Sequence, residues 1–331
     1  MSDDESLRLW EDLSLGYTES QGHPLLREEV AQLYDHIVPG NVLVVTPEEG
    51  IFIAMNVLLD SGDHVIATYP GYQSLHELAR SLGCEVSQWI PEKRQQWEFD
   101  VDMLRSAIRP NTRLIVINFP HNPTGANLSQ RNMRELLSLA RENGIQVFSD
   151  EMYRFLEYDE EARLPSASDL CENAVSLFGV SKALGLAGLR IGWLITRNRD
   201  LLQKLATFKD YTTICSSAPS EILALMALRT RTRIVDRNLN IIKHNLSLIE
   251  SFFSDHAEAF EWIRPKAGSV AFPALRLPVP IREFCADLVN KKGVMLVPGD
   301  VYDFQGNNFR IGFGRTNLPE SLDQLEAYLG S

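Results

Sequence analysis

Three side chains of complementary chemistry, Asn122, Asp150 and Lys182, stand at intervals of roughly 30 residues along the middle of the chain. Each follows an apolar run that reads as a β-strand. A lysine amine is a nucleophile able to join a carbonyl carbon. A carboxylate can balance a positive charge, and an asparagine offers both donors and an acceptor. In open parallel sheets, ligands bind beyond the carboxyl ends of the strands, so the three would converge at one rim. Singly, each has an ordinary explanation. Asn122-Pro123-Thr124-Gly125 suits a turn, with Pro fixing φ and Gly accepting a positive one. Asp150 suits a helix N-cap, Lys182 a solvated loop lysine, and Arg190 a surface ion pair. Their joint order is what argues for a site.

The elements that would carry these residues alternate between strand and helix. Strands are expected at Val42–Val45, His64–Thr68, Cys84–Trp89, Arg113–Phe119, Gln146–Phe148, Ala174–Phe178 and Ile191–Ile195. Between them the pattern gives helices at Glu49–Leu59, Ser74–Leu82, Val101–Ile108 and Ser129–Asn143. Such alternation points to an α/β fold, a mostly parallel sheet with helices on both faces. From about residue 199 the chain turns helical, with a long helix near Ile234–Phe253. Short strands at Ser269–Phe272, Val294–Val297 and Asn308–Gly312 and a final helix at Leu318–Leu329 then form a smaller α+β carboxy-terminal domain. The expected division is an arm over residues 1–19, a large domain over 20–232 and a small one over 233–331.

Composition narrows the class. At 331 residues with 44% hydrophobic and 23% charged content, the chain reads as globular and large enough for a core without staples. A formal net charge of -12 argues against nucleic acid or an anionic membrane as partner. No apolar run approaches the length of a membrane span, and the acidic start Met1-Ser2-Asp3-Asp4-Glu5-Ser6 is unlike a secretory signal. Four scattered cysteines without a CxxC pair read as reduced thiols of a cytoplasmic protein. Seven histidines without HExxH or a His/Cys grouping give no expected metal site.

Taken together, Asn122-Pro123-Thr124-Gly125, Asp150-x-x-Tyr153, Ser181-Lys182 and Arg190 resemble the class I/II aminotransferases, pyridoxal-phosphate (PLP) enzymes of fold type I. The block Ser-Lys-Ala-Leu-Gly-Leu-Ala-Gly-Leu-Arg-Ile-Gly-Trp from Ser181 carries the resemblance most specifically. It implies that Lys182 holds pyridoxal 5′-phosphate as a Schiff base and, once displaced, shuttles a proton at the substrate. It further implies that Asp150 keeps the ring nitrogen protonated, and that Asn122 and Tyr153 bond the ring hydroxyl. Arg190 and Ser181 would hold phosphate, Tyr72 would stack on the ring, and Arg310 in Phe309-Arg310-Ile311-Gly312 would clamp the substrate α-carboxylate, with Asn122 nearby. Tyr17, in Tyr-x-x-x-x-Gly, would reach the phosphate of a neighbouring subunit, which implies a homodimer acting on an amino acid and a 2-oxo acid.

The chain departs from that pattern in three places. Gly179 stands where relatives usually carry a phosphate-binding serine. The turn whose N–H groups normally cradle phosphate reads Thr46-Pro47-Glu48-Glu49-Gly50; Pro47 has no N–H, leaving Thr46 and Glu48 as backbone donors if the glutamates point outward. Only sixteen residues precede Tyr17, fewer than relatives have. Transamination is therefore weighed against elimination or cyclisation by a capreomycidine-synthase-like enzyme, and against a PLP-binding protein without catalysis. A nucleotide-binding enzyme is set aside, since neither GxGxxG nor GxxxxGK[ST] occurs.

Overall fold

Two helices that the apolar pattern does not announce, α1 (Asp3–Glu11) and α2 (Pro24–Ala31), precede the sheet. The structure is a computed structural model that describes residues 3–93 and 96–330; Met1 and Ser2 of the acidic start, and Ser331, lie outside it. Seven strands follow: β1 (Val42–Val45), β2 (His64–Thr68), β3 (Glu85–Trp89), β4 (Thr112–Asn118), β5 (Gln146–Asp150), β6 (Ala174–Gly179) and β7 (Gly192–Ile195). They make one sheet in the order β3-β2-β4-β5-β6-β7-β1. Strand β7 runs against both of its neighbours, β6 and the edge strand β1; β3, β2, β4, β5 and β6 pair in parallel.

Successive strand residues point to opposite faces, and here both faces are covered. Leu114 and Val116 join one core while Ile115 and Ile117 join the other. Burial on both sides is why these strands read as continuous apolar runs instead of alternating ones. Helices α3 (Pro47–Leu58) and α4 (Ser74–Ser81) cover the first face, and α5 (Val101–Ala107), α6 (Gln130–Glu142) and α7 (Ala167–Leu170) the second. Helix α8 (Arg199–Lys209) joins the first group. Local chemistry sets the starts: the Ser129 hydroxyl accepts the Asn132 N–H at 3.0 Å, and Asn198 accepts that of Leu201 at 3.0 Å, both as N-caps.

Helices α9 (Ala218–Arg229) and α10 (Arg231–Asp255) lead into the smaller part. There β8 (Phe260–Glu261) pairs with β10 (Ala274–Leu275), while β9 (Val270–Ala271), β11 (Val297–Pro298) and β12 (Phe309–Gly312) form a second sheet with β12 central. Helices α11 (Ile281–Lys292) and α12 (Leu318–Leu329) pack on it. The buried Asn245 of α10 donates to the Phe313 and Arg315 carbonyls at 2.9 and 2.7 Å, which ties the helix to the chain leaving β12. Among the described residues no helix is long and apolar enough to cross a membrane.

Most boundaries shift by a residue or two, and three of the shifts have a plain cause. Strand β5 runs on to Asp150, because that residue pairs with Asn118 on one side and Leu177 on the other; Asp150 ends the strand instead of following it. Helix α3 starts two residues early, at Pro47, where a missing N–H costs nothing. The strand expected at Val294–Val297 contracts to Val297–Pro298, since β12 offers partners only to those two.

The turn after β4 is fitted against the smaller part. Gly125 has φ +68, and a Cβ there would lie 2.3 Å from Pro265 Cβ and 2.9 Å from the Val270 carbonyl oxygen. Its own carbonyl accepts the N–H groups of Lys266 and Ala267 at 2.8 and 3.1 Å. Gly125→Ala is expected to destabilise the protein by about 2–4 kcal/mol. Urea unfolding checks this, and an unchanged midpoint would contradict the fit.

Candidate active site

Strands β4, β5 and β6 are neighbours, so their carboxyl ends bring polar side chains together at one edge. At the end of β4, Asn118 donates to the Asp150 carbonyl at 3.1 Å and its Oδ1 accepts the Asn122 N–H at 2.8 Å. Asn122 Oδ1 in turn accepts from Arg310 at 3.2 Å, so the turn after β4 meets β12. Asn118 was not singled out from sequence. Its signal was there, a lone polar residue closing an apolar strand.

Lys182 lies in the turn after β6. Its carbonyl accepts the Gly185 N–H at 3.0 Å, and the Ala183 carbonyl accepts from Asn238 of α10 at 2.9 Å. The Lys182 amine sits 5.7 Å from the centre of the Tyr153 ring. Side-chain atoms of Lys182, Asp150, Asn122, Tyr153, Arg190 and Arg310 share a cavity of about 170 Å³, with Ser181, Tyr72 and Glu48 also on its wall.

The electrostatics follow from burial. Asp150, 5% exposed, has its carboxyl pushed up to about 7, first by loss of water and against the pull of the Met152 N–H and Lys182. The Lys182 amine is lowered, first by desolvation and then by Arg310, with Asp150 opposing. The lysine as a whole is exposed to the open mouth, while Arg310, Asp150 and Arg190 all act on its amine. Burial pushes the Tyr153 hydroxyl up to about 12. The guanidinium of Arg310 stacks 5.5 Å from the Tyr302 ring centre.

The expected phosphate end is rearranged. Thr46 does not face the cavity with a free N–H: it donates that group to the Glu49 carboxylate at 3.2 Å and its hydroxyl to the Arg190 carbonyl at 3.1 Å. The two glutamates do not both point outward. Glu49 turns to the Thr213 N–H and hydroxyl at 3.3 and 2.7 Å, but Glu48 lines the cavity, where the Tyr72 hydroxyl donates to it at 3.1 Å and the Ser74 hydroxyl also donates. Gly179 has a packing cause. A Cβ there would lie 2.8 Å from both Gly192 Cα and the Ile191 carbonyl oxygen, so β7 leaves no room for a serine. Ser181 Oγ, by contrast, is buried without a hydrogen-bond partner. Tyr17 is not brought to this cavity within the chain; it is 89% exposed on the wall of a separate cavity beside α9.

The buried carboxyl makes a test on the cofactor-free protein. Folded Asp150 keeps its proton up to about 7 whereas the ordinary value is 3.8, so between those values the folded state binds more protons and stability falls as pH rises. From pH 5 to 8 the wild type is expected to lose about 2–3 kcal/mol that Asp150→Asn does not lose. Urea unfolding at both pH values measures it, and parallel losses would refute the buried carboxyl.

The family described as Aminotransferase class I and II matches residues 12–325. Capreomycidine synthase of Streptomyces vinaceus is 31% identical over 297 residues, which is 88% of this chain and 76% of that protein. A solved PLP-dependent aminotransferase from Streptococcus suis superposes with a TM-score of 0.92 at 31% identity, covering 100% of this chain and 87% of that one. The solved PLP-dependent cyclase OrfR gives 0.89 at 28% identity, covering 100% and 90%.

Proposed function

The chain belongs to the class I and II aminotransferase family, whose members are PLP-dependent enzymes, and from that premise we propose that it moves an amino group between an L-amino acid and a 2-oxo acid, with Lys182 as the residue that carries the cofactor. The observation behind this reading is the meeting of the Lys182 amine, the buried Asp150 carboxyl and the Arg310 guanidinium, from three separate chain regions, in a single cavity.

The residues suit pyridoxal phosphate. Ser181 Oγ is a buried polar atom with no protein partner, Arg190 gives a guanidinium at the same wall, and Asp150 has only its Oδ1 engaged, by the Met152 N–H at 3.0 Å. When bound, the cofactor supplies an aldehyde that takes up an amine and a ring that withdraws electrons from the attached carbon. The chain supplies the rest. Lys182, with its amine lowered by its surroundings, offers a larger neutral fraction for attack and can then hold and move a proton at the substrate Cα. Asp150 would pair with a protonated ring nitrogen, whose positive charge would return its carboxyl to the ionised form. Arg310 and Asn122 would fix the substrate α-carboxylate and so orient the bond to be broken. Arg190 and Ser181 would take phosphate, Tyr153 with Asn122 the ring hydroxyl, and Tyr72 the ring face.

A second reading is elimination or cyclisation of the amino acid, favoured by the likeness to capreomycidine synthase and to the OrfR cyclase. Product analysis separates the two. Transamination forms glutamate from 2-oxoglutarate, whereas elimination or cyclisation proceeds with no oxo acid present. Lys182→Ala is expected to lose the pyridoxyl label left by borohydride reduction and at least about a thousandfold in turnover; Asp150→Ala should lose about a hundredfold. A label at another residue would end the assignment.

We further propose a homodimer in which Tyr17 reaches the partner's phosphate. Support comes from the exposure of Tyr17, Leu15 and Tyr211, at 89%, 80% and 85%, which leaves these side chains free for a partner subunit to cover. Sedimentation should give twice the 37.4 kDa chain mass; a monomer at micromolar concentration would exclude the partner role of Tyr17.

A further inference from the structure

Charges in the catalytic cavity do not balance among themselves. Arg310 bonds an asparagine oxygen and Arg190 a backbone carbonyl at 3.0 Å; neither has a carboxylate within ion-pair distance among the described residues. Under the function proposed above, two anions arrive with the ligands to satisfy them, the substrate α-carboxylate and the cofactor phosphate. Lys182 and Asp150 are coupled to each other and to the reacting centre. That leaves Glu48, a carboxylate on the cavity wall whose bonds among the described residues are to two hydroxyls, those of Tyr72 and Ser74.

The adjacent glutamate shows that this orientation is not forced by the helix. Glu49 occupies the same first turn of α3 and is fully used as a structural acceptor, taking the Thr46 N–H and the Thr213 N–H and hydroxyl. The positive end of α3 stabilises either carboxylate, and one would suffice as a cap. Glu48 is turned towards the site, and each of its oxygens, having accepted one hydroxyl, keeps a further acceptor position directed elsewhere.

We infer that Glu48 is a specificity-determining residue that receives a cationic group, a guanidinium or ammonium, at the end of the substrate's side chain. The α-amino group cannot fill this role, because it is the group that reacts at the cofactor. A cation placed by the substrate at Glu48 and an α-carboxylate placed at Arg310 would hold the amino acid at both ends. The two hydroxyls keep the carboxylate in position, so little is lost in ordering it when the cation arrives. A planar guanidinium offers paired N–H donors to the two carboxylate oxygens and is the better fit of the two.

The inference rests on the reading of Lys182 and Arg310, and the test separates the two. Holoenzyme is titrated with L-arginine and with L-citrulline, its uncharged near-isostere, and the change in the cofactor absorption band gives an apparent Kd for each. Wild type should bind arginine at least about tenfold more tightly, the scale of one charge-assisted hydrogen bond, and Glu48→Gln should erase that preference. Equal constants in wild type would overturn the proposal without any variant, even if Glu48→Gln failed to fold. A preference that survives Glu48→Gln would overturn it too. So would an equal loss for both ligands in the variant, which would mean that Glu48 only positions Tyr72. A spectral response to L-alanine but to neither of the pair would sink the specificity role and leave the proposed function standing; silence towards every amino acid would sink both.

Discussion

Burial acts on Asp150 and Lys182 in opposite senses, and the site depends on that opposition. Loss of water disfavours whichever form is charged, so it raises the carboxyl and lowers the amine. Their mutual attraction works against both shifts. Neither group would be perturbed on a solvated loop. The perturbation requires Asp150 to close a strand with partners on both sides, which places its carboxyl inside the sheet edge. It also requires Lys182 to leave the adjacent strand in a turn closed by its own backbone. The parallel arrangement of β4, β5 and β6 is therefore the means by which ordinary side chains acquire unusual proton affinities.

Much of this was legible from residue order. The strands that bury both faces announce themselves as short apolar runs, and His64–Thr68 needs no adjustment. Asn122, Asp150, Tyr153, Lys182, Arg190 and Arg310 line one cavity, as the spacing of the first residues and the resemblance together suggested. Ends of elements were less legible, because they depend on partners distant in sequence. Asp150 belongs to β5 only because Leu177 and Asn118 flank it, and Val294 fails to join a strand only because β12 is short. The helices α1 and α2 rest on α9 and the chain before β1, contacts with no local signature. Asn118 does not stand out in the sequence, since one polar residue at a strand end is common and its weight lies in two hydrogen bonds, one of them to the Asp150 carbonyl on the next strand.

The departures from the family pattern have physical causes of different kinds. At position 179 the cause is space: β6 and β7 approach so closely at Gly179 and Gly192 that a side chain on either would meet the other's backbone. At the start of α3 the cause is division of labour. One glutamate closes the helix end and engages the Thr212–Thr213 segment, while its neighbour faces the cavity. Pro47 removes one N–H from that turn, and the Thr46 N–H is already committed. Arg190 and the unpartnered Ser181 hydroxyl are the donors left on that part of the cavity wall.

Two of the three asparagines of the long helix α10, Asn238 and Asn245, stand seven residues apart, hence nearly two turns along one side. Asn238 holds the loop of Lys182 and Asn245 holds the chain just past Arg310. The segments that carry Lys182 and Arg310 are thus tied to a common rod. A shift of that rod along its axis would carry both segments in the same direction. Were the substrate an amino acid of another length, adaptation would then fall to the rest of the cavity wall, where Glu48 and Tyr72 sit.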